Sequence, residues 1–120
     1  MVELDPAHVV GAGGTLGAVS RYLLTQRVDV TGFPAGTFVV NVVGSFVLGF
    51  VTFLGMDSQF LLFVGTGACG SFTTFSSFSF ETVRLWETDE RVRAVANALG
   101  NLLGAVLALG AAWFLATALV

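Results

Sequence analysis

Residues 60–80 decide the fold, and they read FLLFVGTGACGSFTTFSSFSF. The first ten residues, up to Cys69, form the continuous apolar run that is typical of a membrane helix. From Gly70 onward, hydroxyl groups alternate with phenylalanine rings. The glycines around this junction are poor helix formers, and two adjacent threonines add β-branched side chains. The pattern predicts an apolar helix that is interrupted close to its middle.

An interruption near the bilayer midplane has two interpretations. Irregular backbone at that depth is tolerated only inside protein or along a cavity. Broken helices there typically offer backbone carbonyls to a cation or N–H groups to an anion. The alternative is a glycine-kinked helix whose hydroxyl groups bond back to its own carbonyls. The composition of the segment leaves both interpretations open.

The composition of the whole chain indicates an integral membrane protein. Of its 120 residues, 55% are hydrophobic and 11% are charged, and the mean hydropathy is +0.87. Soluble domains carry about 25% charged residues. A soluble domain of this size buries only about two thirds of its surface, which excludes a soluble enzyme. Five Lys+Arg stand against eight Asp+Glu, which excludes the basic footprint of a nucleic-acid-binding protein.

Four apolar stretches are separated by short polar loops, and each is long enough to cross a hydrocarbon core of about 30 Å. Asp5 and Pro6 favour a helix start, with Asp as the N-cap and Pro at the first helical position. The predicted fold class is all-α and integral to the membrane, with the third helix broken near the midplane. We expect a single membrane domain, residues 1–120, with four transmembrane helices at about 6–27, 34–56, 59–85 and 91–119.

Polar residues inside the predicted spans are costly in lipid and therefore informative. Asn41 lies within the second span, and Asn97 and Asn101 are four residues apart on one face of the fourth. No carboxylate lies deep in any span, because Glu81 is near the end of the third. A lining of neutral donors suits a desolvated anion. The alternative is hydrogen bonding between helices, typically worth about 0.6 kcal/mol for each side chain.

Aromatic rings and one arginine fit the same hypothesis. Phe75 and Phe78 are three residues apart on one helical face and interleave with Ser76 and Ser79. The edge of a phenyl ring is positive and can approach an anion, although simple packing or lipid contact is the alternative. Arg21 lies in the second half of the first span, where it either draws anions to a pore mouth or extends its charge to the membrane interface.

Four segments of the chain carry a resemblance to a known family, and together they cover nearly its whole length. They are GGTLGAVSRY at 13–22, GTFVVNVVGSF at 36–46, GACGSFTTFSSFSFE at 67–81 and NALGNLLG at 97–104. In these segments the sequence resembles the fluoride channel family called CrcB or Fluc. The motif of the third span is highly specific, and that of the fourth is weaker.

The resemblance implies an antiparallel dimer of the dual-topology type, with two pores that export cytoplasmic fluoride passively and so protect against fluoride toxicity. Gly70 and Thr73 of both subunits would hold a central structural sodium ion (Na+) through their backbone carbonyls, and Arg21 would lie at the vestibule. At the next position of the fourth-helix polar track, where relatives often carry a hydroxyl, this chain has Ala105. The resemblance places these residues along the ion path: Asn41, Phe75, Ser76, Phe78, Ser79, Asn97 and Asn101.

The arginines also predict an orientation. Arg27, Arg84, Arg91 and Arg93 lie in or beside the first and third loops, whereas the termini and the second loop carry no Lys or Arg. The positive-inside rule then places both termini outside. A homodimer of antiparallel subunits needs each chain to insert both ways, and this bias argues against it. We therefore expect either an antiparallel dimer of this chain with itself or, as our hypothesis, pairing with a related subunit of opposite orientation.

Two other functions compete with a channel. A small multidrug exporter also uses about four helices and antiparallel pairing, but it needs a carboxylate within a span, and the first span has none. A non-transporting membrane subunit could use the same glycines and asparagines to hold helices together. An enzyme has no support from the sequence, since no nucleophile–base pair or metal constellation is visible.

Overall fold

A computed structural model describes residues 4–28 and 32–120, and every regular element in them is helical, which confirms the all-α prediction. The first helix begins as expected, with the Asp5 carboxylate accepting a hydrogen bond from the Ala7 N–H at 2.8 Å. We number the helices along the chain and treat the three consecutive segments from 58 to 72 together as α3. The bounds are α1 Pro6–Arg27, α2 Ala35–Phe53, α3 Ser58–Phe60 with Leu61–Cys69 and Gly70–Phe72, α4 Phe75–Glu87, and α5 Arg91–Leu119.

Within residues 4–28 and 32–120, three stretches of helix are long and apolar enough to cross a membrane. They are Ala35–Phe53, Ser58–Glu87 and Arg91–Leu119. The first helix has 22 residues but is less apolar than these three stretches, because it carries several glycines and polar side chains. Large apolar side chains point outward from the fold, and Leu107 is 72% exposed. Such a surface is covered by lipid or by protein rather than by water.

The third helix changes its winding before it is interrupted. Leu61–Cys69 forms a π-helix, in which the N–H of Gly70 donates to the carbonyl of Gly65, five residues earlier. A π-helical stretch of nine residues is unusual, because most occur as single turns. No pattern in the sequence predicted this change of winding. Gly65 and Gly67 lie inside the stretch and are both buried, so close packing accompanies the wider winding.

The interruption itself occupies two residues. Thr73 has φ −79° and ψ 160°, and Thr74 has φ −148° and ψ 118°, so both have extended backbone. Helix α4 begins directly afterwards, at Phe75, where Thr74 Oγ1 accepts a hydrogen bond from the Ser77 N–H at 3.1 Å. This hydroxyl acts as the N-cap of α4 and satisfies one of the N–H groups that a helix start leaves free.

Glycines allow α1 and α3 to pack with their backbones almost in contact. A Cβ atom on Gly13 would collide with the carbonyl oxygen of Phe63, and one on Gly17 would collide with that of Ala68. From the other side, a Cβ on Gly67 would lie 2.7 Å from the carbonyl oxygen of Val10. Small residues of this kind are what close helix pairs in membranes require.

Replacement of one of these glycines tests the packing directly. We expect Gly13→Ala to destabilise the fold by about 1–3 kcal/mol, because the added methyl group overpacks a backbone contact. Gly11→Ala is the matched control, since a Cβ there meets nothing within 4 Å. Thermal unfolding of the purified protein in detergent should show a lower midpoint for the first variant only. Equal midpoints for the two variants would contradict this account of the packing.

Candidate functional site

The side chain of Asn41 on α2 holds the interruption between α3 and α4. Its Oδ1 accepts the Thr74 N–H at 2.8 Å, and its Nδ2 donates to the Thr74 carbonyl at 3.1 Å. One amide side chain thus pairs with both polar groups of one residue. A peptide unit that leaves a helix must find other partners when water is absent, and Asn41 supplies them for Thr74.

A row of hydrogen bonds runs on from this pair. The second N–H of Asn41 donates to Asn101 Oδ1 at 3.1 Å. Asn101 Nδ2 donates to Asn97 Oδ1 at 3.0 Å and to the Asn97 carbonyl at 2.9 Å. Asn97 Nδ2 donates to Thr82 Oγ1 at 2.8 Å, and that hydroxyl donates to the Phe78 carbonyl at 2.7 Å. Asn97 and Asn101 are buried, at 0% and 5% exposure. The structure thus brings the three predicted asparagines together.

An open groove of about 640 Å³ lies beside the interruption. Residues of α2, α3, α4 and α5 line it, among them Asn41, Thr73, Phe75 and Phe78. The rings of Phe75 and Phe78 are 5.8 Å apart at their centres and tilted by 49°. Phe75 is 79% exposed and projects from the chain. The two predicted phenylalanines are therefore neighbours, on a side of the fold that this chain alone does not cover.

The remaining predicted residues lie at different distances from this groove. Ser76 is exposed in the first turn of α4, with its Oγ 3.3 Å from Thr74 Oγ1. Ser79 follows one turn later and is half-buried. Arg21 is half-buried near the end of α1, a helix that contributes no described residue to the groove. Ala105 does line the groove, to which it contributes a methyl group and no hydroxyl.

Several polar groups near the site were not singled out from the sequence. Ser45 and Thr66 place hydroxyl groups along the groove. On the far side of α4, Thr37 Oγ1 donates to Glu81 Oε1 at 2.8 Å, and Glu81 Oε2 is buried without a hydrogen-bond partner in the described part of the chain. A hydroxyl in an otherwise apolar span was the available signal for Ser45 and Thr66. The pairing of Thr37 with Glu81 depends on tertiary packing and has no local signal.

Gly70 and Thr73 are among the residues whose backbone carbonyls lose their helical partners at the interruption. In a continuous α-helix the carbonyl of Gly70 would accept from the Thr74 N–H, which is donated to Asn41 instead. The carbonyl of Thr73 would accept from the Ser77 N–H, which is donated to Thr74 Oγ1. Both residues line the groove. Unwound carbonyls of this kind are groups that can coordinate Na+ in membrane proteins, and the sodium site at Gly70 and Thr73 stays a prediction.

The chain matches the family model described as "CrcB-like protein, Camphor Resistance (CrcB)" over residues 8–113. It is 55% identical over 113 residues to "Fluoride-specific ion channel FluC 2" of Haloarcula marismortui, covering 94% of this chain and 95% of that protein. It is 56% identical over 110 residues to "Fluoride-specific ion channel FluC 1" of Halobacterium salinarum, covering 92% of each. To "Fluoride-specific ion channel FluC" of Thermotoga maritima it is 43% identical over 112 residues, covering 86% of this chain and 87% of that protein. With its apolar helices and this match, the chain is a multi-pass membrane protein that belongs to the CrcB family.

Proposed function

We propose that this protein is a fluoride-selective channel, which lets cytoplasmic fluoride leave the cell passively and so protects against fluoride toxicity. The family supports an ion channel, which is not a class of enzyme, and the names of the relatives support fluoride as the ion. The observation that carries the proposal is the pairing of Phe75 and Phe78 beside serine hydroxyls on a helix that restarts inside an apolar span.

The chemistry of this segment suits a small, strongly hydrated anion. Fluoride gives up its water only where other donors replace it. The edges of the Phe75 and Phe78 rings carry partial positive charge, and the hydroxyls of Ser76 and Ser79 donate hydrogen bonds. A narrow, fixed row of such donors admits fluoride and excludes the larger chloride, because selectivity in pores follows diameter and the donors that line them.

Passive flow is enough to remove fluoride. A membrane potential of about 100 mV, negative inside, is worth roughly 2.3 kcal/mol for each charge. At 1.4 kcal/mol per tenfold, this potential holds the cytoplasmic concentration of a passively distributed anion roughly 50-fold below the outside concentration. The channel therefore needs no nucleotide and no proton carrier to keep the cytoplasmic concentration low.

The groove supports a pore that two subunits complete. Phe75 is 79% exposed, and no described residue of α1 lines the groove. A ring left in lipid could not hold an ion, because a lipid-exposed anion would have no donors on its other side. We therefore propose four transmembrane helices in each subunit, with α1 as the first and the interrupted α3–α4 segment as the third, and an antiparallel dimer with two pores.

A sodium ion at the centre of that dimer would be held by the carbonyls of Gly70 and Thr73 of each subunit. This proposal is supported by two hydrogen bonds: the N–H groups that would bond to these carbonyls in a continuous helix, those of Thr74 and Ser77, are donated elsewhere. In the described residues no group of His, Cys, Asp or Glu could hold a metal ion instead. The ion would supply a fixed positive charge between the two interruptions.

The charges at the ends of the helices support a fixed orientation for each chain. Arg27 ends α1, Arg84 lies in the last turn of α4, and Arg91 begins α5. Arg93 Nη1 donates to the Gly32 carbonyl at 3.3 Å, which joins the first turn of α5 to the first loop. The Arg91 guanidinium lies 5.0 Å from the centre of the Trp86 ring, a residue type enriched at membrane interfaces. We infer that the partner is a related chain of opposite orientation rather than a second copy.

The ring of Phe75 provides the first test of the pore. We expect Phe75→Ile to abolish fluoride efflux from proteoliposomes, since an aliphatic side chain has no positive edge to offer an anion. Phe80→Ile is the matched control: Phe80 is 66% exposed on the same helix and does not line the groove. Both variants should elute from a sizing column like the wild type. Full efflux through the Phe75 variant would show that the ion takes another path.

The orientation is tested by a reporter at the C-terminus. We expect nearly all of it on the outer face of the membrane, because the arginine-bearing loops remain inside. Arg91→Gln combined with Arg93→Gln serves as the comparison, since it removes half of the four loop charges and should give a more mixed orientation. A wild-type reporter that appears equally on both faces would contradict a fixed orientation and favour a homodimer.

A further inference from the structure

We infer that Asn41, Asn101, Asn97 and Thr82 form a brace that positions the pore segment of α4. This inference rests on the proposed channel function and goes beyond it. It assigns Thr82 a positioning role that nothing in its sequence neighbourhood suggested.

The N–H donors of Asn41 and Asn101 are already in use within the protein. A side-chain amide has two such donors. Asn41 uses one on the Thr74 carbonyl and the other on Asn101 Oδ1. Asn101 uses both on Asn97, and both of these asparagines are buried. With both donors in use, each of these two side chains is held in one orientation, and loss of a partner would leave a buried polar group unpaired, which is costly.

The brace spans the part of α4 that carries the proposed pore residues. It begins at Thr74, immediately before α4, and ends at Thr82, eight residues later on the same helix. At 1.5 Å per residue this is about 12 Å of helix. Within that length lie the four α4 residues that we place along the ion path: Phe75, Ser76, Phe78 and Ser79. The row of hydrogen bonds starts at the beginning of α4, passes through side chains of α2 and α5, and ends at Thr82 further along α4.

The row of hydrogen bonds is continuous and runs in one direction. Each amide donates to the next group, and the last hydroxyl donates to the Phe78 carbonyl at 2.7 Å. Hydrogen bonds in such a chain polarise and strengthen one another. The carbonyl at its end belongs to one of the two pore phenylalanines. Loss of the Thr82 hydroxyl should therefore loosen the helix that carries both rings.

Thr82→Val and Thr82→Ser separate the hydroxyl from the rest of the side chain. In the assembled channel, Thr82→Val should slow fluoride efflux about tenfold, because a buried donor loses its partner. Hydrogen–deuterium exchange of the peptide covering residues 73–79 should become faster by a similar factor. Thr82→Ser keeps the hydroxyl and should restore both quantities towards wild-type values.

Thr117→Val is the matched control, because the Thr117 hydroxyl bonds only within its own helix, to the Trp113 carbonyl at 2.9 Å and the Phe114 carbonyl at 2.9 Å. It should change neither quantity. Slower efflux with unchanged exchange in Thr82→Val would mean that Thr82 meets the ion directly and would overturn the brace. Faster exchange with unchanged efflux, or no change in either, would also overturn it. Exchange is measured without ion flow, so an inactive wild type would count against the channel and not against the brace.

Discussion

Two hydrogen bonds between the Asn41 side chain and the backbone of Thr74 are the interaction on which the rest of the site depends. They supply the hydrogen-bond partners that backbone outside a helix needs wherever water is absent. The interruption separates α3 from α4 and gives α4 its own beginning. Phe75 and Ser76 stand at that beginning. The bond from the Thr74 N–H to Asn41 Oδ1 also takes that donor away from the Gly70 carbonyl, which would accept it in a continuous helix.

The amide–backbone pair also links packing to function. On one side of it, α1 and α3 meet through glycines whose replacement would bring Cβ atoms against backbone carbonyls. On the other side, the asparagines join α2 and α5 to α4. The groove lies between these two packed regions and remains open where Phe75 projects. The described residues thus enclose the groove only in part and leave Phe75 exposed at its open side.

The sequence predicted the helical class, but it did not predict the hydrogen bonds that join the polar residues of different helices. Apolar length and composition were sufficient for the three most apolar helical stretches, because both follow from the thickness of the hydrocarbon core. The glycines and hydroxyls of 65–77 predicted an interruption, and Thr73 and Thr74 have extended backbone there. The π-helix at Leu61–Cys69 and the pairing of Thr37 with Glu81 were not predicted. Both depend on contacts between distant segments, which no local pattern records.

The most direct measurement of the central claim is the efflux of fluoride from liposomes that contain the purified wild-type chain, followed with a fluoride-selective electrode and with chloride efflux as the reference. One preparation should contain this chain alone, and the other should contain this chain together with a related chain of opposite charge bias. The account predicts rapid fluoride efflux, with little chloride efflux, in at least one of the two preparations. Chloride leaving as fast as fluoride, or no fluoride efflux from either preparation, would contradict it.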